Sequence, residues 1–75
     1  MTLYNAPCKR KYLVKKILTE KSTERRLEAL GLTENSSVEL ISRKRGGASI
    51  VKIRGTRFAV GREICESIEL WGEIK

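Results

Sequence analysis

Apolar and polar residues alternate in short bursts along this 75-residue chain, and the longest apolar runs are two or three residues. Ser37-Val38-Glu39-Leu40-Ile41-Ser42-Arg43 alternates with period two. Val38 and Leu40 fall on one face, with Glu39, Ile41 and Arg43 on the other, the signature of a half-buried strand. Ser49 to Arg54, a turn at Gly55, and Thr56 to Val60 predict a hairpin whose core face is Val51, Ile53, Phe58 and Val60. Tyr12 to Leu18 predicts a further strand, but the alternation of Tyr12 and Val14 slips before Ile17, which implies a bulge or a strand buried partly on both faces. Arg62 to Ser67 reads as a single turn of 3₁₀ or α structure leading into a final strand, Ile68 to Trp71, with Ile68 and Leu70 inward and Glu69 and Trp71 outward. Gly46 and Gly47 supply a hairpin or wider loop before the third strand.

One stretch follows helical rather than strand periodicity: Glu24-Arg25-Arg26-Leu27-Glu28-Ala29-Leu30-Gly31-Leu32. Ser22 or Thr23 is suited to the N-cap, Glu24 to the positive end of the helix dipole, and Gly31 to a left-handed stop. With Gly31 as the left-handed residue, Leu32 and Leu27 occupy the two positions that touch in a Schellman motif. Leu27, Leu30, Gly31 and Leu32 then form a structural corner, an apolar wedge that closes the helix onto the sheet. Two turns of helix do not persist alone in water, so docking must hold them. Short strands at 8 to 12-residue spacing with glycine-marked turns predict a mainly β fold. The expected architecture is a single domain over residues 1–75, a small barrel of about five short strands with one short helical insertion. Barrel closure would remove exposed sheet edges.

Composition fits such a domain, with 40% hydrophobic and 33% charged residues, and a chain of this length buries only about 60% of its unfolded surface. No apolar run is long enough to span a bilayer or to serve as a secretory signal, so the expected location is cytoplasmic. Cys8 and Cys65 lack metal-site spacing and there is no histidine, so the two cannot form a Cys/His zinc site within one chain. A disulfide between them remains open; in a reducing compartment the simpler reading is two small buried side chains. All nine acidic residues are glutamates, which removes Ser-His-Asp and Cys-His chemistry, and no phosphate-binding glycine motif occurs. The expectation is a non-enzyme without cofactor or metal.

The formal charge is +7, concentrated at Lys9 to Lys11, Lys15-Lys16, Arg25-Arg26 and Arg43 to Arg45, with Arg54, Arg57 and Arg62 following. Such a surface attracts nucleic acid, an anionic membrane leaflet or an acidic protein. The few aromatics, Tyr4, Tyr12, Phe58 and Trp71, are scattered, which argues against specific nucleic-acid reading and against a polyproline groove.

Thr2-Leu3 with Ala6-Pro7, Arg26-Leu27 before Leu30-Gly31-Leu32, the run Ile53-Arg54-Gly55-Thr56-Arg57-Phe58-Ala59-Val60-Gly61-Arg62-Glu63-Ile64, and Ile68-Glu69-Leu70 together resemble the ferrous iron transport protein A (FeoA) family. The resemblance extends from Thr2 to Leu70. It implies an SH3-like barrel and a cytosolic accessory subunit of bacterial ferrous iron uptake, acting on a membrane permease that carries a cytosolic GTP-binding domain. Lys9 and Asn35 stand where many members have glycine, and Trp71 to Lys75 has no counterpart in the resemblance. A similar domain also occurs fused to metal-dependent transcription regulators. On the primary reading Arg25, Arg26, Arg43, Arg45 and Arg57 are candidate partner contacts, with Arg25 or Arg26 also candidates for an arginine finger. Membrane association would then arise through the permease, and self-association through exposed strand edges is also open. The alternatives are a small basic nucleic-acid-binding barrel, a regulator-type SH3-like module, or attachment to the membrane surface through the basic N-terminal segment.

Overall fold

The computed structural model describes residues 1–74. The element order is β1 (Arg10–Ile17), α1 (Lys21–Leu30), β2 (Ser37–Arg43), β3 (Ser49–Ile53), β4 (Thr56–Val60), α2 (Arg62–Ser67) and β5 (Ile68–Glu73). Every strand pairing is antiparallel, in the spatial order β4-β3-β2-β1-β5. The sheet curls around one core that includes Tyr12, Val14, Val38, Leu40, Val51, Ile53, Ile68 and Leu70, each at the inward phase of its strand. The alternation therefore placed the inward faces of β2, β3 and β5 correctly. Phe58 of β4 is only partly buried, packed against the core from its edge.

The barrel is not closed by hydrogen bonds. Among the described residues β4 and β5 do not pair; the six-residue α2 connects them instead, with its own Cys65 buried. This second helix replaces the single turn expected there. The free edge of β5 is covered by the N-terminal segment: Leu3 N–H donates to Ile68 O at 2.9 Å, Leu70 N–H donates to Met1 O at 2.8 Å, and Thr2 bridges Glu69. Among the described residues no segment outside the sheet makes such backbone hydrogen bonds to β4.

The corner at Gly31 has the anticipated geometry. Gly31 adopts φ 96°, its N–H donates to Glu28 O at 2.9 Å, and Leu32 N–H donates to Leu27 O at 2.9 Å, the double bond pattern of a Schellman motif. Leu27 and Leu32 are buried, each removal from water stabilising the fold by about 1.5–3 kcal/mol. Two expectations need correction. The residue flanking the helix start is Glu20 without a side-chain cap, because α1 begins at Lys21, ahead of Ser22 and Thr23. Leu30 is 38% exposed, because the turn at Gly31 carries the chain inward only after Leu30 has passed the edge of the core.

Among the described residues, three other than glycine take positive φ. Lys9 and Asn35 take positive φ, 63° and 67°, so both hold the left-handed conformation that glycine would adopt more cheaply. Arg54, expected at the end of a strand, is instead the first central residue of the β3–β4 turn. With Arg54 at φ 51° and Gly55 at φ 84°, the two-residue loop has the positive angles a type I′ hairpin requires.

Candidate functional site

The exposed side of Leu30 opens onto a groove between α1 and the β4–α2 junction. Thr23, Arg26, Leu27 and Leu30 form one wall and Ala59, Val60, Gly61 and Ile64 the other, enclosing about 220 Å3. The local cause is the same corner: Leu27 turns into the core while Leu30, three residues on, stays at the rim with Arg26 beside it. The uncovered edge of β4 adjoins this groove through Ala59 and Val60. An apolar trough next to unpaired backbone N–H and C=O groups can take an extended or helical segment of another chain.

The five candidate arginines do not converge on one point. Arg26 lines the groove, Arg25 is exposed on the same helix, and Arg57 is exposed on β4. Arg57 stands opposite Lys52 in the β3–β4 register, a like-charge pair that costs stability, and Lys52 in turn faces Glu39 on β2. Arg45 is exposed in the β2–β3 loop, on a different element from the groove. Arg43, also a candidate partner contact, is already engaged within the fold: its Nη2 donates to Leu3 O at 3.0 Å and to Ala6 O at 2.8 Å. That guanidinium ties the N-terminal segment to β2, a structural task set by tertiary contact across 37 to 40 residues of chain. Sequence reasoning assigned Leu30 to the core and did not single out Ala59 or Ile64. The available signal was Leu30's place as the last helical residue, where the chain reverses.

A second cleft of about 300 Å3 is lined by Ile17, Glu24, Glu28, Thr33 and Glu34. Its three glutamates nonetheless do not draw together: among the described residues no group of three or more His, Cys, Asp or Glu could hold a metal ion. Cys8 and Cys65 are both free thiols, Cys8 half-buried and Cys65 buried with its Sγ 3.4 Å from Val60 O. No helix among the described residues is long and apolar enough to cross a membrane.

The FeoA domain family model matches residues 1–70. The chain belongs to the FeoA family. The match ends one residue before Trp71, so the last part of β5 lies beyond it. Among solved structures, the FeoA protein of Chlorobium tepidum superposes with a TM-score of 0.84 at 22% identity, over 93% of this chain and 68% of that one. The zinc complex of Stenotrophomonas maltophilia FeoA, described as a procaryotic SH3 domain protein, gives 0.73 at 24% identity over 93% and 88%. The manganese regulator SloR contains the same fold, with a TM-score of 0.80 at 18% identity, but this chain spans only 33% of its length. A comparison with curated proteins finds no match. The fold is thus SH3-like and mainly β, and FeoA membership links the chain to ferrous iron transport.

Proposed function

We propose that this FeoA protein is an accessory subunit that docks on the cytosolic GTP-binding part of a ferrous iron permease and performs no chemistry of its own. The observation that carries this reading is the groove at Leu30, an apolar trough flanked by Arg26 and by the open edge of β4. At 38% exposure on the rim of the groove, the Leu30 side chain is available to a partner. Arg25, Arg26 and Arg57 add positive potential around the trough, which favours an acidic segment on the permease and speeds its encounter. Binding would then shift the permease between its conformational or nucleotide-bound states in proportion to the difference in affinity for each. The location consistent with this role is the cytoplasm.

Co-purification with the permease tests the proposal. Leu30→Ser and the paired change Arg25→Ala/Arg26→Ala should each reduce capture while leaving the melting temperature near that of the parent. Undiminished capture by both variants would remove the groove from the account. Tight binding of short DNA or RNA with a steep salt dependence, together with failure to capture the permease, would replace docking with the nucleic-acid reading.

A further inference from the structure

The pairing of β1 with β5 contains two irregularities that face each other. In the register Leu13 pairs with Gly72 and Val14 with Leu70, which leaves Trp71 without a partner; Val14 and then Lys16 pair with Leu70 and Glu69, which leaves Lys15 without one. Each strand carries one extra residue at the same level. Bulges of this kind re-aim side chains, and here the two meet: Lys15 Nζ lies 4.9 Å from the centroid of the Trp71 ring. The stack does not shelter the indole, which is 60% exposed, the highest exposure among the large apolar side chains.

The surroundings suit an amphipathic contact. Leu13, half-buried between the inward Tyr12 and Val14, stands on the outer face opposite Gly72, which has no side chain. Ile74 is 40% exposed, held beside the strand by its N–H donating to Lys11 O at 2.8 Å. Lys11, Lys15 and Lys16 are exposed along β1; Glu39 stands opposite Lys11 and Glu69 opposite Lys16 in the register, Glu73 is engaged by Arg10 at 2.8 Å, and Lys15 faces no carboxylate across the bulge. The arrangement is an exposed indole stacked by Lys15, with Leu13 opposite its neighbour Gly72 and Ile74 at the end of the strand.

We propose that the Trp71–Lys15 face binds an anionic phospholipid bilayer surface. An indole is favoured at the headgroup level, where its apolar body leaves water and its N–H remains wet, and lysines beside it are attracted to the negative leaflet. The net charge of +7 gives the long-range attraction the same sign. Base stacking on nucleic acid fits less well, because Lys15 already occupies one face of the only exposed tryptophan and no second aromatic continues a platform. The inference stands independently of permease docking, since it rests on β1 and β5 rather than on the α1–β4 groove.

Trp71 is the only tryptophan, so its fluorescence reports this face alone. The full chain is titrated with vesicles of phosphatidylcholine, and with phosphatidylcholine containing about one-third phosphatidylserine, reading the emission maximum and co-sedimentation together. The expected result is a blue shift and sedimentation with the anionic vesicles only. Lys15→Gln should weaken binding about fivefold, as expected for one lysine near a charged leaflet, and Trp71→Ala should weaken it several-fold. Three results would overturn the proposal: no sedimentation with anionic vesicles, sedimentation without a shift, or a loss on Arg45→Gln as large as that on Lys15→Gln. A shift produced by the permease's cytosolic part or by an oligonucleotide, but not by vesicles, would assign the face to that partner and equally overturn it.

Discussion

Replacing Gly31 by alanine places a methyl group where two constraints meet. At φ 96° the residue is in the left-handed region, where a Cβ costs about 1–2 kcal/mol. The same Cβ would stand 3.1 Å from Ile53 Cγ2 and 3.1 Å from Arg54 Nε. Arg54 is exposed and its side chain can swing aside, whereas Ile53 is 2% exposed in the core and must be displaced. Crowding a packed core in this way costs about 1–2 kcal/mol more. The combined loss of about 2–4 kcal/mol is a large fraction of the roughly 4–11 kcal/mol expected for a chain of this length. Melting followed by circular dichroism should therefore fall by about 10–25 °C. Two other glycines separate the contributions. Gly55→Ala meets the left-handed strain at φ 84° with nothing within 4 Å of the new Cβ, so it should lose only about 1–2 kcal/mol. Gly46→Ala meets neither constraint and should be neutral or stabilising by up to about 1 kcal/mol. If Gly31→Ala costs no more than Gly55→Ala, the end of α1 is not pressed against the β3–β4 hairpin and the corner has been misread.

Arg43→Ala should destabilise by about 1.5–3 kcal/mol, because two carbonyls lose a charged donor. The loss should appear first as faster hydrogen exchange at Leu3 N–H, which bonds β5; unchanged protection there would mean that the N-terminal segment does not depend on Arg43. Tyr12 is buried with its hydroxyl donating to Pro7 O, and burial pushes its phenol above the usual value of 10.0. The folded state therefore favours the neutral form, so the stabilisation is intact below pH 10 and declines as pH rises through the folded value. Tyr12→Phe should cost about 0.5–1.5 kcal/mol at neutral pH and flatten the alkaline limb of stability, measured by urea unfolding from pH 8 upward; an equally steep limb in the variant would assign the alkaline loss to other groups.

Much of the fold was legible because its cues are local. β2 and β4 begin and end where the alternation and glycines place them, the slip in Tyr12 to Leu18 is the pair of register shifts against β5, and the Gly31 corner forms with its expected bonds. Lys9 and Asn35 take the backbone angles that the resemblance implied for glycine positions. What escaped was the behaviour of residues whose environment comes from distant chain. Arg43 reads as one more surface arginine until Leu3 and Ala6 are brought beneath it, and Leu30 reads as core until it is seen to face Ala59, Val60 and Ile64 across a groove. The candidate groove was legible only in part, through Arg26 and Leu30, since Ala59 and Ile64 carry no pattern that distinguishes them before β4 and α2 are set against α1.

Periodicity and turn chemistry thus determined the strand content and the helix stop, because each depends on residues within a turn or two of one another; the basic charge and the family resemblance follow from residue identity in chain order. Tertiary structure alone decided which sheet edge stays open, which arginine is consumed in holding the N-terminus, and where Lys15 meets Trp71. Those outcomes depend on strand register and on contacts between segments separated by tens of residues. Such contacts are selected by the packing of one shared core, and no local pattern encodes them.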